Sequence, residues 1–201
     1  MLVVDATGVV VNARVKRALS PSIERGAMKS IHGIIVHQTG GPTAQSTLDS
    51  YKRSSANGAH FLIDSDGTVY QTASLYKQTW HVGKLKARCV LEKRCTPVEV
   101  KELLRFNPTK ENKRELAKNV PDRFPSNQDS IGIELVGEAL PRGNNVPDQK
   151  KTYQPVTSKQ NTSLQWLITE LVFTLKVPMT EIFRHPDVSR KNPSEASTAK
   201  W

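Results

Sequence analysis

The chain has 201 residues, of which 37% are hydrophobic and 24% charged, and its formal net charge is +10. This size and composition fit one globular domain, and no apolar run approaches the roughly 20 residues of an integral membrane segment. The positive charge favours a polyanionic partner such as anionic lipid or cell wall; without an RNA-binding signature or a Cys/His finger, nucleic acid is not predicted.

The first half of the chain predicts a buried strand, a helix and a hairpin. The β-branched apolar run at 34–36 precedes His37 and a Gly-Gly-Pro turn, which predicts a buried strand with His37 at its mouth. A helix is predicted over 44–55. Two apolar runs joined by Ser-Asp-Gly predict a hairpin with strands near 60–64 and 68–72.

The second half begins with a polar, basic stretch over 84–128, which is typical of a surface insertion. Helices are predicted within it at 97–105 and 109–119. Residues 130–137 form a buried-strand pattern, and the turn-rich segment that begins PRGNNVPDQ is predicted to be a loop. Apolar residues then recur at helical spacing over 158–176.

Strands separated by helices, with one hairpin, predict an α/β fold. We expect a mixed central β-sheet flanked by helices in one domain over residues 1–201, with the basic insertion on its surface.

Three polar residues stand next to or inside apolar strand-like segments. His37 and His185 each follow such a segment, which is compatible with a zinc site of three protein ligands or with structural histidines. Burying Glu134 is costly unless it is paired, protonated or used. It is therefore either the general base of a zinc hydrolase or the buried partner of an Arg or Lys.

The two cysteines, Cys89 and Cys95, lie six positions apart. This spacing suits a small disulfide loop better than a CxxC metal or redox site. In a reducing compartment the two residues would instead be free thiols.

Five segments follow one another in order over residues 31–193: IIVHQTG, GAHFLIDSDGTVYQ, TWHVG, NQDSIGIELVG and RHPDVSRKNP. This ordered set resembles the amidase-2 family of zinc N-acetylmuramoyl-L-alanine amidases, which includes phage amidases and peptidoglycan recognition proteins. The resemblance implies the amidase fold, a Zn2+ cofactor and peptidoglycan as substrate. The implied reaction is hydrolysis of the amide that joins muramic acid to L-alanine.

The resemblance also implies roles for single residues. These are zinc ligation by His37 and His185, acid/base catalysis by Glu134, oxyanion stabilisation by Lys191 and substrate binding in the groove by His81. Some relatives carry a tyrosine just before the HFLI-like strand, where this chain has Ala59, and that difference gives Glu134 more weight.

The third zinc ligand is where this chain departs from the family. Relatives carry Cys or Asp two residues beyond the lysine, but this chain has Pro193, which offers no side-chain ligand. Glu195, ten residues after His185, is the expected third ligand, whereas Asp187 matches a structural turn residue. Without Glu195 as third ligand, the chain would either bind zinc weakly or be a non-catalytic peptidoglycan-binding domain of the same fold.

The start of the chain predicts no secretory signal, because no basic segment precedes its apolar residues and Asp5 interrupts them. We therefore expect a protein made in the cytoplasm that acts in the periplasm or on the cell wall after non-classical export. An antibacterial effector with a cognate immunity protein, or a phage endolysin, would fit. A cytoplasmic recycling enzyme is the alternative.

Overall fold

The computed structural model describes residues 1–143 and 145–201. The elements of the first half are β1 Val3–Val4, β2 Val10–Val11, β3 Val15–Arg17, β4 Glu24–Ala27, β5 Gly33–Gly40, α1 Ala44–Tyr51, β6 Phe61–Ile63, β7 Val69–Gln71 and β8 Lys77–Thr79. Those of the second half are α2 Arg88–Leu91, α3 Pro97–Leu104, α4 Pro108–Leu116, β9 Ser130–Leu140, β10 Thr152–Tyr153, α5 Ser158–Leu175, β11 Ile182–Arg184 and α6 His185–Val188.

A mixed sheet with the strand order β11-β5-β9-β6-β7-β3 forms the centre, and β10 pairs antiparallel with the end of β9. The pairs β11–β5, β5–β9 and β9–β6 are parallel, whereas β6 and β7 form the antiparallel hairpin expected from Ser-Asp-Gly. The α/β prediction with a mixed sheet flanked by helices is confirmed.

The two faces of the central strands have different partners. Ile34 and Val36 of β5 and Ile133 of β9 belong to the same buried cluster as the apolar face of α5. Because successive side chains of a strand point to opposite faces, the next residues, His37 and Glu134, lie on the other face. The alternation of the two strands thus places polar residues where α5 does not cover the sheet.

Helix α5 begins at a capping box. The Thr157 hydroxyl accepts from the Gln160 N–H, and the Gln160 side chain accepts from the Thr157 N–H, an arrangement worth about 1 kcal/mol. Gln160 also donates to the Ile63 and Val136 carbonyls, which ties the helix to the sheet. Within residues 1–143 and 145–201, no helix combines the length and hydrophobicity needed to cross a membrane.

The insertion over 84–128 folds into α2, α3 and α4 and is anchored by a buried ion pair. Both terminal nitrogens of Arg88 donate to the carboxylate of Glu181, at 2.7 and 2.8 Å. Glu181 directly precedes β11. Phe124 packs edge-on against Phe183 beside this pair. Cys89 and Cys95 are joined in a disulfide, so the first of the two alternatives for these cysteines holds.

Some sequence-based boundaries were wrong. The strand that carries His37 continues to Gly40, so His37 lies inside the strand and not at its mouth. Helix α1 ends at Tyr51 instead of residue 55. The segment predicted as a loop contains β10, because residues 152–153 find a partner at the end of β9.

Candidate active site

A cavity of about 500 Å³ opens on the face of the sheet that α5 leaves uncovered. Its lining includes all six residues for which the sequence predicted a role, namely His37, His81, Glu134, His185, Lys191 and Glu195. The fold therefore brings together side chains that lie far apart in sequence.

Strand register sets the positions of three of these residues. His37 of β5 is the direct neighbour of Glu134 on the parallel strand β9. On the other side of β5, Arg184 of β11 pairs with Val36, so His185 follows at the level of His37. The rings of His37 and His185 lie 4.2 Å apart between their centroids.

Glu195 completes this cluster from the C-terminal segment. Its Oε1 lies 2.9 Å from Nδ1 of His185 and 3.7 Å from Nδ1 of His37. Burial alone would raise the pKa of Glu195, but the contacts with the His185 and His37 rings outweigh it and lower the pKa to about 2. Pro193 is exposed, and Glu195 lies beside the two histidines, at the position expected for the third ligand.

A short turn and the side chain of Gln38 hold Glu195 in this place. The Glu195 N–H donates to the Asn192 carbonyl, and the following residue, Ala196, takes a left-handed conformation with φ 53°. The Ala196 N–H donates to Oε1 of Gln38, whose Nε2 donates to the Gln154 carbonyl. Because Gln38 follows His37, two corners of the cluster are tied together.

The hydrogen bonds of His185 indicate which ring nitrogen is free. Its Nε2 lies 2.9 Å from the Val82 carbonyl, which can only accept, so Nε2 carries the proton. When Nε2 carries the only ring proton, Nδ1 of His185 points a lone pair at the Glu195 carboxylate. Two acceptors at 2.9 Å repel each other unless a proton or a metal ion lies between them.

The contacts of His81 likewise determine which ring nitrogen of His37 carries the proton. The Ser130 hydroxyl donates to the Ser126 carbonyl, so it can only accept from Nε2 of His81. His81 Nδ1 must then accept from Nε2 of His37, at 2.9 Å, which leaves Nδ1 of His37 as a lone pair facing Glu195. A Cβ on Gly132 would lie 2.8 Å from Nδ1 of His81, so this glycine gives the ring its room.

These donors fit a bound divalent cation. Nitrogens of His37 and His185 and an oxygen of Glu195 lie within 4.8 Å of one another, and all three residues are buried. Burial, followed by the charge of His185, lowers the pKa of His37 to about 4, so the ring is neutral at pH 7, as metal ligation requires. Two imidazoles and one carboxylate are a donor set typical of catalytic zinc sites.

Glu134 faces the cavity without a partner. Its Oε2 is buried, and no hydrogen bond or ion pair reaches its carboxylate from the described parts of the chain, so the structural ion-pair alternative does not hold. Burial raises the pKa of Glu134 to about 8, with a further contribution from the charge of Glu195 and opposition from Lys191. A carboxyl group with this pKa can both hold and release a proton near neutral pH.

Lys191 lies at the exposed side of the cavity. Its side chain forms no ion pair or hydrogen bond with any residue that the structure describes. The ammonium group is therefore available to a negatively charged or polarised ligand atom.

Other lining residues were not predicted from the sequence. Tyr51 contributes a buried hydroxyl, which accepts from the Ala59 N–H at 3.4 Å, and Tyr153 and Asp148 enter from the β10 segment. Trp80 forms part of the rim, is 51% exposed and stacks on the Arg25 guanidinium 4.7 Å from its ring centroid. The only available signal was the position of Trp80 directly before His81.

Comparisons with known proteins identify the family of the chain. A family model described as Amidase_2, N-acetylmuramoyl-L-alanine amidase, matches residues 27–197. No curated protein matches the chain significantly.

Several solved structures share the fold. The crystal structure of a selenomethionine derivative of AmpD is 19% identical, with a TM-score of 0.55 over 96% of this chain and 94% of that one. The catalytic domain of XlyA is 18% identical, with a TM-score of 0.51 over 90% and 88%. AmpDh3 from Pseudomonas aeruginosa is 17% identical, with a TM-score of 0.51 over 94% of this chain and 58% of AmpDh3. With the family match over most of its length, the chain belongs to the N-acetylmuramoyl-L-alanine amidase family.

Proposed function

We propose that this protein is a zinc-dependent amidase that hydrolyses the bond between the lactyl group of muramic acid and L-alanine in peptidoglycan. The observation that supports this most directly is one cavity that holds a buried His-His-Glu donor cluster beside an unpaired carboxyl group. A domain that only bound peptidoglycan would need neither feature.

His37, His185 and Glu195 would hold the zinc ion. Bound zinc acts as a Lewis acid and lowers the pKa of water toward roughly 7. The protein's contribution is to present two Nδ1 atoms and one carboxylate in a buried setting. The Val82 carbonyl and His81 orient the two rings through the far nitrogens.

Glu134 is the proposed acid and base. As a carboxylate it takes a proton from the attacking water, and as a carboxylic acid it gives that proton to the amine of L-alanine when the amide bond breaks. Its pKa of about 8 keeps both forms accessible near neutral pH. The free ammonium of Lys191 would stabilise the negative charge that develops on the carbonyl oxygen.

His81, which the resemblance placed among the substrate-binding residues, also lines the cavity. Both of its ring nitrogens face protein atoms, Nδ1 towards His37 and Nε2 towards Ser130. We therefore propose that its main role is to position His37. Trp80 at the rim offers an apolar face to the substrate.

The test is to incubate the purified protein with intact peptidoglycan, with and without a chelator, and to identify the products by mass spectrometry. We expect free stem peptides that begin with L-alanine, lost on chelation and restored by zinc. Binding without cleavage under every metal condition would reject the proposal and favour a peptidoglycan-binding domain.

The disulfide bears on where the enzyme works. A bond between Cys89 and Cys95 is stable in an oxidising compartment such as the periplasm. We propose that the protein attacks cell wall there as an antibacterial effector that an immunity protein could block. Expression directed to the periplasm should lyse cells, whereas the Glu134→Gln variant should not. Survival of cells with active, periplasmic protein would contradict this role.

A further inference from the structure

The insertion over 84–128 carries more than half of the net positive charge of the molecule. It holds twelve Lys and Arg residues against six Asp and Glu, a net charge of +6 out of +10 for the chain. The other 156 residues hold seventeen Lys and Arg residues against thirteen Asp and Glu. One small part of the surface therefore dominates the electrostatic attraction to anionic partners.

Ion pairing leaves this charge unbalanced at the surface. Each of the six acidic side chains of the insertion pairs with a basic residue, and each of its five arginines pairs with an acidic residue. In contrast, five exposed lysines form no ion pair with any described residue. These are Lys84, Lys93, Lys101, Lys110 and Lys113.

The same segment exposes apolar side chains. Seven of the fifteen exposed large hydrophobic residues in the described chain lie here, with exposures from 41% for Leu116 to 81% for Leu104. Val90, Val100 and Leu104 line a shallow groove of about 430 Å³ beside the disulfide, and Leu91 and Leu103 continue its apolar wall. We call these five residues the insertion patch.

Several contacts fix the insertion to the rest of the protein and keep the patch at the surface. Arg88 is locked to Glu181, and Glu111 accepts from the Ala87 N–H and pairs with Arg190. The disulfide closes the segment between α2 and α3. The insertion therefore presents its apolar side chains on a braced support.

We propose that the insertion patch docks on an anionic phospholipid bilayer. Apolar side chains surrounded by cations are the pattern of interfacial membrane binding, in which the tips enter the headgroup region and the cations bind lipid charge. The unpaired cations are all lysines, whose mobile point charges suit a diffuse anionic layer. An acidic protein partner would favour arginines, with their directed bidentate bonds, but here every arginine is already paired.

The test uses sedimentation of the full-length protein with phosphatidylcholine vesicles, with or without phosphatidylglycerol. We expect binding only with phosphatidylglycerol, weakened by salt. The Val100→Gln/Leu104→Gln double variant should reduce partitioning about tenfold, because two side chains no longer enter the apolar layer. Phe173→Gln is the matched control, since Phe173 is 65% exposed on α5, outside the insertion, and should bind as wild type does.

The alternatives give different results. Equal binding to both kinds of vesicle, no binding to either, or an equal loss in Phe173→Gln would overturn the proposal. Tight binding to soluble polyphosphate that is unchanged in the double variant, with no preference for vesicles, would indicate a general polyanion site. Vesicle binding does not require hydrolysis, so the Glu134→Gln variant should bind as wild type does. Cleavage of a soluble muropeptide by the double variant should be unchanged and also reports that it is folded.

Discussion

The sheet face around Glu134 and the insertion over 84–128 both depart from the usual placement of side chains. The sheet face buries polar groups, and the insertion exposes apolar ones. The sheet face buries His37, His185 and Glu195 and leaves Glu134 without a partner. The insertion pairs every acidic group and exposes apolar side chains. Both arrangements cost stability in the isolated chain, and each would be relieved by a different class of proposed ligand, a cation in the cavity and an apolar, anionic phase outside. Buried polar groups without a partner and exposed apolar side chains thus indicate candidate binding sites more precisely than the overall composition does.

The largest expected effect comes from removing the carboxylate of the donor cluster. Glu195→Ala should abolish cleavage and lower zinc affinity by more than the roughly 10- to 100-fold typical of residues that only support a ligand. Zinc titration by calorimetry and product analysis measure both effects. Glu102→Ala, an acidic residue of α3 in the insertion, is the control. Normal zinc affinity in Glu195→Ala would remove this residue from the metal site.

Next in size is the unpaired carboxyl group itself. Glu134→Gln keeps the shape but cannot exchange a proton, so the cleavage rate should fall by about 10²- to 10⁴-fold. The zinc content should remain that of wild type, because Glu134 is not among the donors. A variant that retains full activity would rule out Glu134 as the acid and base.

A third change tests the anchor of the insertion. Glu181→Ala removes the buried ionic partner of Arg88 and leaves its guanidinium with Glu92 alone, which should lower the free energy of unfolding by about 2–3 kcal/mol in urea titrations. The Arg88→Met/Glu181→Leu double variant removes both charges and should regain much of the loss. If the double variant is no more stable than Glu181→Ala, the pair is not the anchor.

A smaller effect is expected for the residue behind His37. His81→Ala should weaken zinc binding about 10- to 100-fold, because Nε2 of His37 loses its acceptor. In His81→Gln the amide oxygen can accept that hydrogen bond, and affinity should partly recover. Equal losses in both variants would point to a packing role only.

The smallest effect concerns an ion pair in the insertion. The hydrogen bond from Lys118, with the capping contacts of Thr96, lowers the pKa of Glu99 to about 2. A lowered folded-state pKa means that the stabilisation is present above the unfolded pKa near 4.5 and is lost as the pH falls through 2. Glu99→Gln should therefore cost about 1 kcal/mol or less at pH 6, because the pair is partly exposed. This difference from wild type should shrink between pH 4.5 and 2; a constant difference would contradict the assignment.

The central strands and the long helix were predictable because their patterns are local. Residues 130–137 are almost continuously apolar, and α5, predicted over 158–176, is observed over Ser158–Leu175. Strands β1–β4 and β8 were missed, since two to four residues carry too little alternation to be recognised. Their pairing partners lie elsewhere in the chain, which no local pattern reports.

For the site, sequence and resemblance identified six lining residues, but not their connections. That His185 and His37 present Nδ1, and that Gln38 links β5 to the turn around Glu195, depend on hydrogen bonds between distant segments. Tyr153 and Asp148 were missed because β10 had been expected to be a loop. Local patterns therefore predicted which groups are polar and buried, and the fold determines how they face one another.

The missing side chain of Gly132 has a consequence for the history of this chain. Any larger residue at this position would displace the His81 ring from His37. A lineage that replaced the glycine would have to change position 81 in the same period or lose the support of His37. Positions 81 and 132 should therefore have been inherited as a pair, although 51 positions separate them in the sequence.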